Sequence, residues 1–296
     1  MSEKRNIIKF LVVFLLLGIS VCLMLYPFIA NYLFENQTDS FVNSLEKAAG
    51  DADREKAEAE IQAAKQYNEM LASSHVQLTD PFAEEELEDS TGEYDSLLCM
   101  TDDGVMGFVE IPCISVSLPV YHGTSSAVLE KGAGHLQGTS LPVGGESTHT
   151  VITGHTGLSK AKLFTDLTQL EEGDIFFLSV VGEKLAYEVD QVKVVEPNDT
   201  SDLAIVSGMD YCTLLTCTPY GVNSHRLLVR GNRTDYQEAA ENPETFAVKK
   251  TESKWMAEYA RAIFISLGCF IGLMVLLVIK RRFWQSGNRE IVDDFC

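Results

Sequence analysis

The hydrophobic pattern divides the chain into three textures. Residues 7–29 are apolar with few polar interruptions and no charge after Lys9, and residues 262–279 are equally apolar and uncharged. A helix crossing a bilayer core needs about 20 such residues, so both stretches are long enough to span. Residues 35–74 are rich in Ala, Glu, Lys and Gln, carry no proline and have Gly50 as their one glycine. That composition, with opposite charges at i,i+4, predicts one or two surface helices, mostly a solvated spacer. Residues 78–103 are acidic and turn-rich and read as irregular. From residue 105 onward, short runs rich in β-branched and aromatic residues alternate with Gly and Pro: GFVEIP, SLPVYHG, HTVITGH, DIFFLSVV, KLAYEVDQVKVVEP, DYCTLLTCT and HRLLVRG. Such spacing predicts a closed or nearly closed β-barrel. Short helical pieces fit at SSAVLEKGAGHL and AKLFTDLTQL.

Flanking charge sets the orientation. Lys4, Arg5 and Lys9 open the first apolar stretch, and Lys280, Arg281 and Arg282 close the second. The positive-inside rule then places both termini in the cytoplasm and everything between them outside. The alternative for the first stretch is a cleaved signal peptide, but its apolar run exceeds the roughly 7–15 residues of a signal core and no small-x-small cleavage site is clear. The expected organisation is a tail and first span over 1–34, a helical region over 35–104, a barrel over 105–233, a stalk over 234–261, and a second span with a basic tail over 262–296.

Charge narrows the partners. Asp and Glu number 43 against 23 Lys and Arg, a net charge of −20, and most of the acid lies between the two spans. That surface repels nucleic acid and anionic lipid. Of seven cysteines, Cys22 and Cys269 fall in the spans and Cys296 is terminal. Cys99, Cys113, Cys212 and Cys217 remain outside, where three disulfide pairings or free thiols are open. Neither zinc-type Cys/His spacing nor an EF-hand pattern is present.

The chemistry concentrates in TLLTCTPYGVNSHRLLVRG and HTVITGHTG. In the first, a strand ends at Cys217, a turn follows, and a second strand begins near Arg226. In an antiparallel pair these two side chains can face one pocket. The second ends a strand at Gly154-His155. A thiolate that attacks a carbonyl, an imidazole that shuttles protons and a guanidinium that holds an oxyanion would make an acyl-transfer site. A cysteine at a strand end is more often a small core residue. His122, His135, His149 and His225 are other candidate bases on residue type alone. Strand alternation puts Cys212 on the face opposite Cys217.

VITGHTGLSKAKLFTDL and TLLTCTPYGVNSHRLLVRG resemble the histidine and cysteine signatures of sortases, and EIPCISVSLPVYHG and LAYEVDQVKVVEPNDTSDL resemble the remainder of that barrel. The resemblance covers residues 106–233. It implies a mostly β fold, a closed eight-stranded barrel with short helices, and transpeptidation through a thioester. On that mapping Cys217 is the nucleophile, His155 the general acid/base and Arg226 the oxyanion- or substrate-binding cation. The second span and Asp80-Pro81-Phe82 resemble the pilus-assembling class C branch, whose lid would set Phe82 over Cys217 and pair Asp80 with Arg226. Cys113 departs from the lysine expected in EIPKI-like segments.

The resemblance further implies partners: pilin subunits bearing an LPxTG-like sorting signal and an acceptor lysine, at the plasma membrane. No metal or organic cofactor is required. Thr216, Tyr220 and the loop over 196–203 are candidate peptide contacts. Rival readings are a sortase that anchors proteins to the cell wall, a hydrolytic cysteine protease, and a non-enzymatic membrane-tethered binding module.

Overall fold

Strands that are apolar on both faces need cover on both sides, and this requirement shapes the architecture. In the computed structural model the described residues are 2–51, 54–74, 76–83, 92–99, 104–157, 161–241, 257, 259–272, 275–276 and 279. The strands are β1 (Val105–Ile111), β2 (Val116–His122), β3 (Ala133–His135), β4 (Thr148–Thr153), β5 (Ile175–Val180), β6 (Glu183–Val195), β7 (Asp210–Thr218) and β8 (His225–Thr234). They close into one barrel in the order β1-β2-β3-β4-β7-β8-β6-β5, as the resemblance implied. β4 is buried along its whole length and β7 at all but its two ends. One face of each fills the barrel and the other lies under surrounding segments.

The interior is built from Val109, Ile111, Ile152, Phe164, Phe176, Tyr187, Cys212, Leu214 and Val229, with further apolar neighbours. Each such side chain contributes about 1.5–3 kcal/mol through burial. Phe176 and Tyr187 stack at 5.6 Å between centroids. Gly231 makes room for them, since a Cβ there would lie 2.6 Å from the Phe176 ring.

Strand direction gives the barrel two distinct rims. β1, β4, β6 and β7 end at one rim, where β2, β5 and β8 begin. The β1–β2 turn at Pro112–Ile114, the chain after β4 and the β7–β8 turn all lie there. The opposite rim carries the β3–β4 and β5–β6 connections.

Two long helices precede the barrel. α1 (Ser2–Asp51) is continuous through the apolar stretch and beyond. Within it, Gly18–Ser44 satisfies the length and hydropathy of a membrane span. Below residue 30 its described side chains are mostly exposed, whereas Asn31, Thr38 and Val42 are buried. α2 (Arg54–Ser73) buries Ile61, Ala64, Asn68 and Leu71. Most α2 side chains are exposed, as expected of a surface helix, but every three or four residues α2 also presents a side chain to the barrel's far rim, where Met106, Leu141, Val143 and Val180 receive Ile61 and Ala64. Asn68 fixes that docking by donating to Leu141 O (3.0 Å) and accepting from Leu141 N (2.7 Å).

Three short helices follow: α3 (Glu93–Ser96), α4 (Ser126–Leu129) and α5 (Tyr236–Glu241). The expected helix at AKLFTDLTQL is limited to a 3-10 turn at Leu167–Gln169. Tyr94 of α3 anchors on the barrel, its hydroxyl 3.0 Å from His135 Nδ1 and accepting from Gly123 N at 2.9 Å.

Beyond residue 251 a separate unit begins, with an apolar helix described over Tyr259–Gly272. As described it is shorter than a bilayer requires. Lys280, Arg281, Arg282 and Cys296, together with residues 242–256 of the expected 234–261 stalk, lie outside the described residues.

Replacing Asn68 by Ala leaves the buried Leu141 N–H without its acceptor, while Leu141 O keeps Val143 N at 2.8 Å, so the full chain in detergent should lose about 1–3 kcal/mol by chemical denaturation. A second expectation concerns pH. Burial lowers His135 and His149 from 6.5 to about 4. Both are neutral when folded, and on unfolding they take up protons below pH 6.5. Their stabilising contribution is complete above that value and is lost as pH falls toward 4. Denaturation midpoints should decline across this window, less steeply in His135→Gln.

Candidate active site

The site is assembled where β4, β7 and β8 lie side by side. In the β7–β8 ladder Cys217 stands directly opposite Arg226. β4 runs parallel to β7, with Thr153 opposite Leu215. Past the end of β4, Gly154 N donates to Leu215 O at 3.0 Å, and Thr216 Oγ1 donates to Gly154 O at 2.7 Å. These two bonds continue the register by one residue, so His155 leaves the sheet level with Cys217. Gly154 itself lets the Phe164 ring approach, because a Cβ would lie 2.7 Å from it. Phe164 N then donates to His155 O at 3.1 Å and closes the loop after the histidine.

Residues 76–83 cross this end of the sheet. Ala83 N donates to Asp80 O at 3.0 Å, so Asp80-Pro81-Phe82-Ala83 forms a tight turn with proline at its second position. The Asp80 carboxylate accepts Arg226 Nε at 2.8 Å and Nη2 at 2.6 Å, a fork-to-fork pair with both side chains about nine-tenths buried. Arg226 Nη1 donates to Asn223 O and His225 O. The Phe82 ring sits 5.5 Å from the His155 ring and 5.1 Å from the Arg226 guanidinium carbon, within cation–π range. With Leu78 it packs on Leu136, Val151, Val195, Leu203, Leu215 and Leu228.

Electrostatics follow from this enclosure. Cys217 is 8% exposed. Burial pushes its thiol above the ordinary value, Arg226 opposes the rise, and Asp80 adds to it. Cys212 points into the barrel interior, away from Cys217, and burial drives its pKa far up. Cys99, Cys113, Cys212 and Cys217 are all free thiols. An open cleft of about 480 Å³ lies elsewhere, between α1 and the β1–β2 turn, and none of these side chains lines it.

The five residues singled out in the sequence, Cys217, His155, Arg226, Asp80 and Phe82, thus come together. Other histidines are engaged elsewhere. His149 bridges Ala204 O and Thr213 Oγ1, His122 lies between Gly104 O and Leu97 O, and His225 pairs with Ser224 and Glu196 at the surface. Thr216 is buried with its hydroxyl committed to Gly154 O, so it braces the histidine segment. Tyr220 is half exposed and lies over Gly157. The apolar floor of Val151, Leu215 and Leu228 was not singled out from the sequence. The period-two alternation of TLLTC puts Leu215 on the face of Cys217 and carried that signal.

The sortase domain family model matches residues 109–234. Sortase C of Streptococcus pneumoniae, a structure described for catalysis and pilin substrate specificity, is 44% identical with a TM-score of 0.61, covering 67% of this chain and 97% of that one. Sortase C-1 of Actinomyces oris is 49% identical with a TM-score of 0.57, covering 60% and 99%. The chain belongs to the sortase family. Sortases are cysteine transpeptidases, and the structural neighbours of this sortase are of the class C type. Sortase D of Bacillus subtilis (strain 168) is 32% identical over 130 residues, 43% of this chain and 63% of that protein. The sortase match therefore spans a little under two thirds of that relative's length.

Asp80→Asn keeps the shape of the 80–83 turn and removes a charge that raises the thiol. The Cys217 pKa should fall, and its alkylation near neutral pH, followed by peptide mapping, should quicken. An unchanged pH–rate profile would show that Asp80 does not control the thiol.

Proposed function

We propose that this sortase is a membrane-anchored transpeptidase that joins pilin subunits through a Cys217 thioester. The observation that carries the reading is the Cys217–Arg226 pair, with Arg226 held by Asp80 under Phe82. α1 serves as the anchor, with the barrel outside the cell and the 262–279 stretch as a second span. Residues 35–104 would form the helical and lid region and 105–233 the catalytic barrel.

In the proposed reaction the lid withdraws, exposing the apolar floor to an LPxTG-like sorting signal. The Cys217 thiolate attacks the Thr carbonyl carbon, and the oxyanion faces Arg226, a fixed charge that needs little reorganisation as charge develops. His155 donates its proton to the Gly nitrogen, the C–N bond breaks, and the acyl group remains on Sγ as a thioester. A lysine amine from the next pilin then attacks the same carbon. His155 accepts the amine proton, the C–S bond breaks, and an isopeptide bond and free thiolate result. A thioester retains acyl reactivity until the amine arrives, and a closed lid keeps water from Cys217 between turnovers. The steps use no metal or organic cofactor.

The pilin assignment is supported by the Asp80-Pro81-Phe82 lid and by the pilin specificity described for the S. pneumoniae sortase C. Incubation of the full chain in detergent with an LPxTG-type peptide should give an acyl adduct on Cys217 by mass spectrometry. Phe82→Ala should form it faster, and Cys217→Ala should form none. Absence of the adduct from both the wild type and Phe82→Ala would overturn the thioester reading.

A further inference from the structure

We infer that the barrel rim carrying Cys217 faces the bilayer at the level of its headgroups, so a peptide reaching the thiol arrives from the membrane side. The inference rests on α1 being a membrane anchor, as proposed above, and is independent of the chemistry assigned to the thiol.

The first observation is that anchor and barrel are joined without a linker. α1 is one helix, and residues 7–29 of it measure about 34 Å at 1.5 Å per residue, the thickness of a bilayer core. Asn31 touches the barrel only two residues later, about 3 Å further along the axis. Its amide is buried, with Nδ2 donating to Glu35 at 2.9 Å and Oδ1 accepting Lys162 N at 2.8 Å. Exposed Tyr26 and Tyr32 bracket this point, as aromatic side chains do at a membrane boundary.

The second observation fixes which rim is near. Phe34 packs against the interior cluster that includes Ile114, Val116 and Leu163. Phe41, further along α1, packs against Val105 and Tyr121. Val116 starts β2 at the rim where β1 ends, whereas Val105 and Tyr121 lie at the opposite rim. α1 therefore runs up the barrel wall from the first rim to the second, with its apolar half extending beyond the first. Cys217, Arg226 and the exit of β4 toward His155 all lie at that first rim.

The third observation bounds the distance. Lys162, bonded to Asn31, is two residues from Phe164, whose N–H bonds His155 O at 3.1 Å. The histidine carbonyl thus lies within roughly 13 Å of the Asn31 amide, given the reach of two residues. An acidic exterior would not seek an anionic surface; continuity with α1 imposes the contact.

The test places an environment-sensitive fluorescent amino acid, incorporated by codon suppression, at Val222 in the β7–β8 turn or at Glu146 on the opposite rim. Both positions are exposed. Full-length protein is reconstituted into phosphatidylcholine vesicles containing headgroup nitroxide lipid. Quenching several-fold stronger at position 222 than at 146 is the expected result. Equal quenching, or stronger quenching at 146, would overturn the orientation. Alkaline carbonate washing separates the two ideas: release from the vesicles would overturn the anchor and this inference with it, whereas retention without the quenching difference would overturn the inference alone.

Discussion

A guanidinium buried at a strand end has to find acceptors for its N–H groups, since leaving them unpaired away from water costs several kcal/mol. Arg226 finds them in the Asp80 carboxylate and in two carbonyls of its own turn. That solution has consequences in three directions. It draws residues 76–83 across the sheet, it seats Phe82 on the apolar floor beside His155, and it sets a positive and a negative charge beside Cys217. The last two effects oppose each other at the thiol, where Arg226 favours the thiolate and burial and Asp80 disfavour it. With Asp80 on Arg226, the thiol is thus held toward its less reactive form.

The same pair explains why the barrel alone does not complete the site. Cys217, Arg226 and His155 come from β7, β8 and the end of β4, held in register by backbone bonds that tolerate little displacement. The lid comes from a segment that leaves α2, and α2 is held on the far rim by Asn68 and an apolar face. Residues 76–83, at the Cys217 rim, are thus tied through α2 to the opposite rim.

Anchoring enters the same logic. α1 passes from its apolar half into contact with the barrel at Asn31, close to the loop that follows His155. α1 thereby braces the histidine side of the site.

Much of this was legible in the linear chain. The apolar runs, the basic flanks, the change to short strands near residue 105, and the order TGH, TLLTC and Arg identify segments long and apolar enough to span a bilayer, the barrel and the candidate chemistry. These are local properties: hydropathy, alternation and turn composition depend on neighbours within a few residues. The docking of α2 was not legible, because its apolar stripe is narrow and interrupted by charge, and only the waiting cavity of Met106, Leu141 and Val180 gives it a partner. Alternation puts Leu215 on the face of Cys217 and Thr216 on the other, but that Thr216 braces Gly154 depends on β4 pairing beside β7. The rim toward which Cys217 points relative to the anchor depended on strand order, on barrel closure and on the wall that α1 follows. All three are long-range pairings whose energies appear only when distant segments meet.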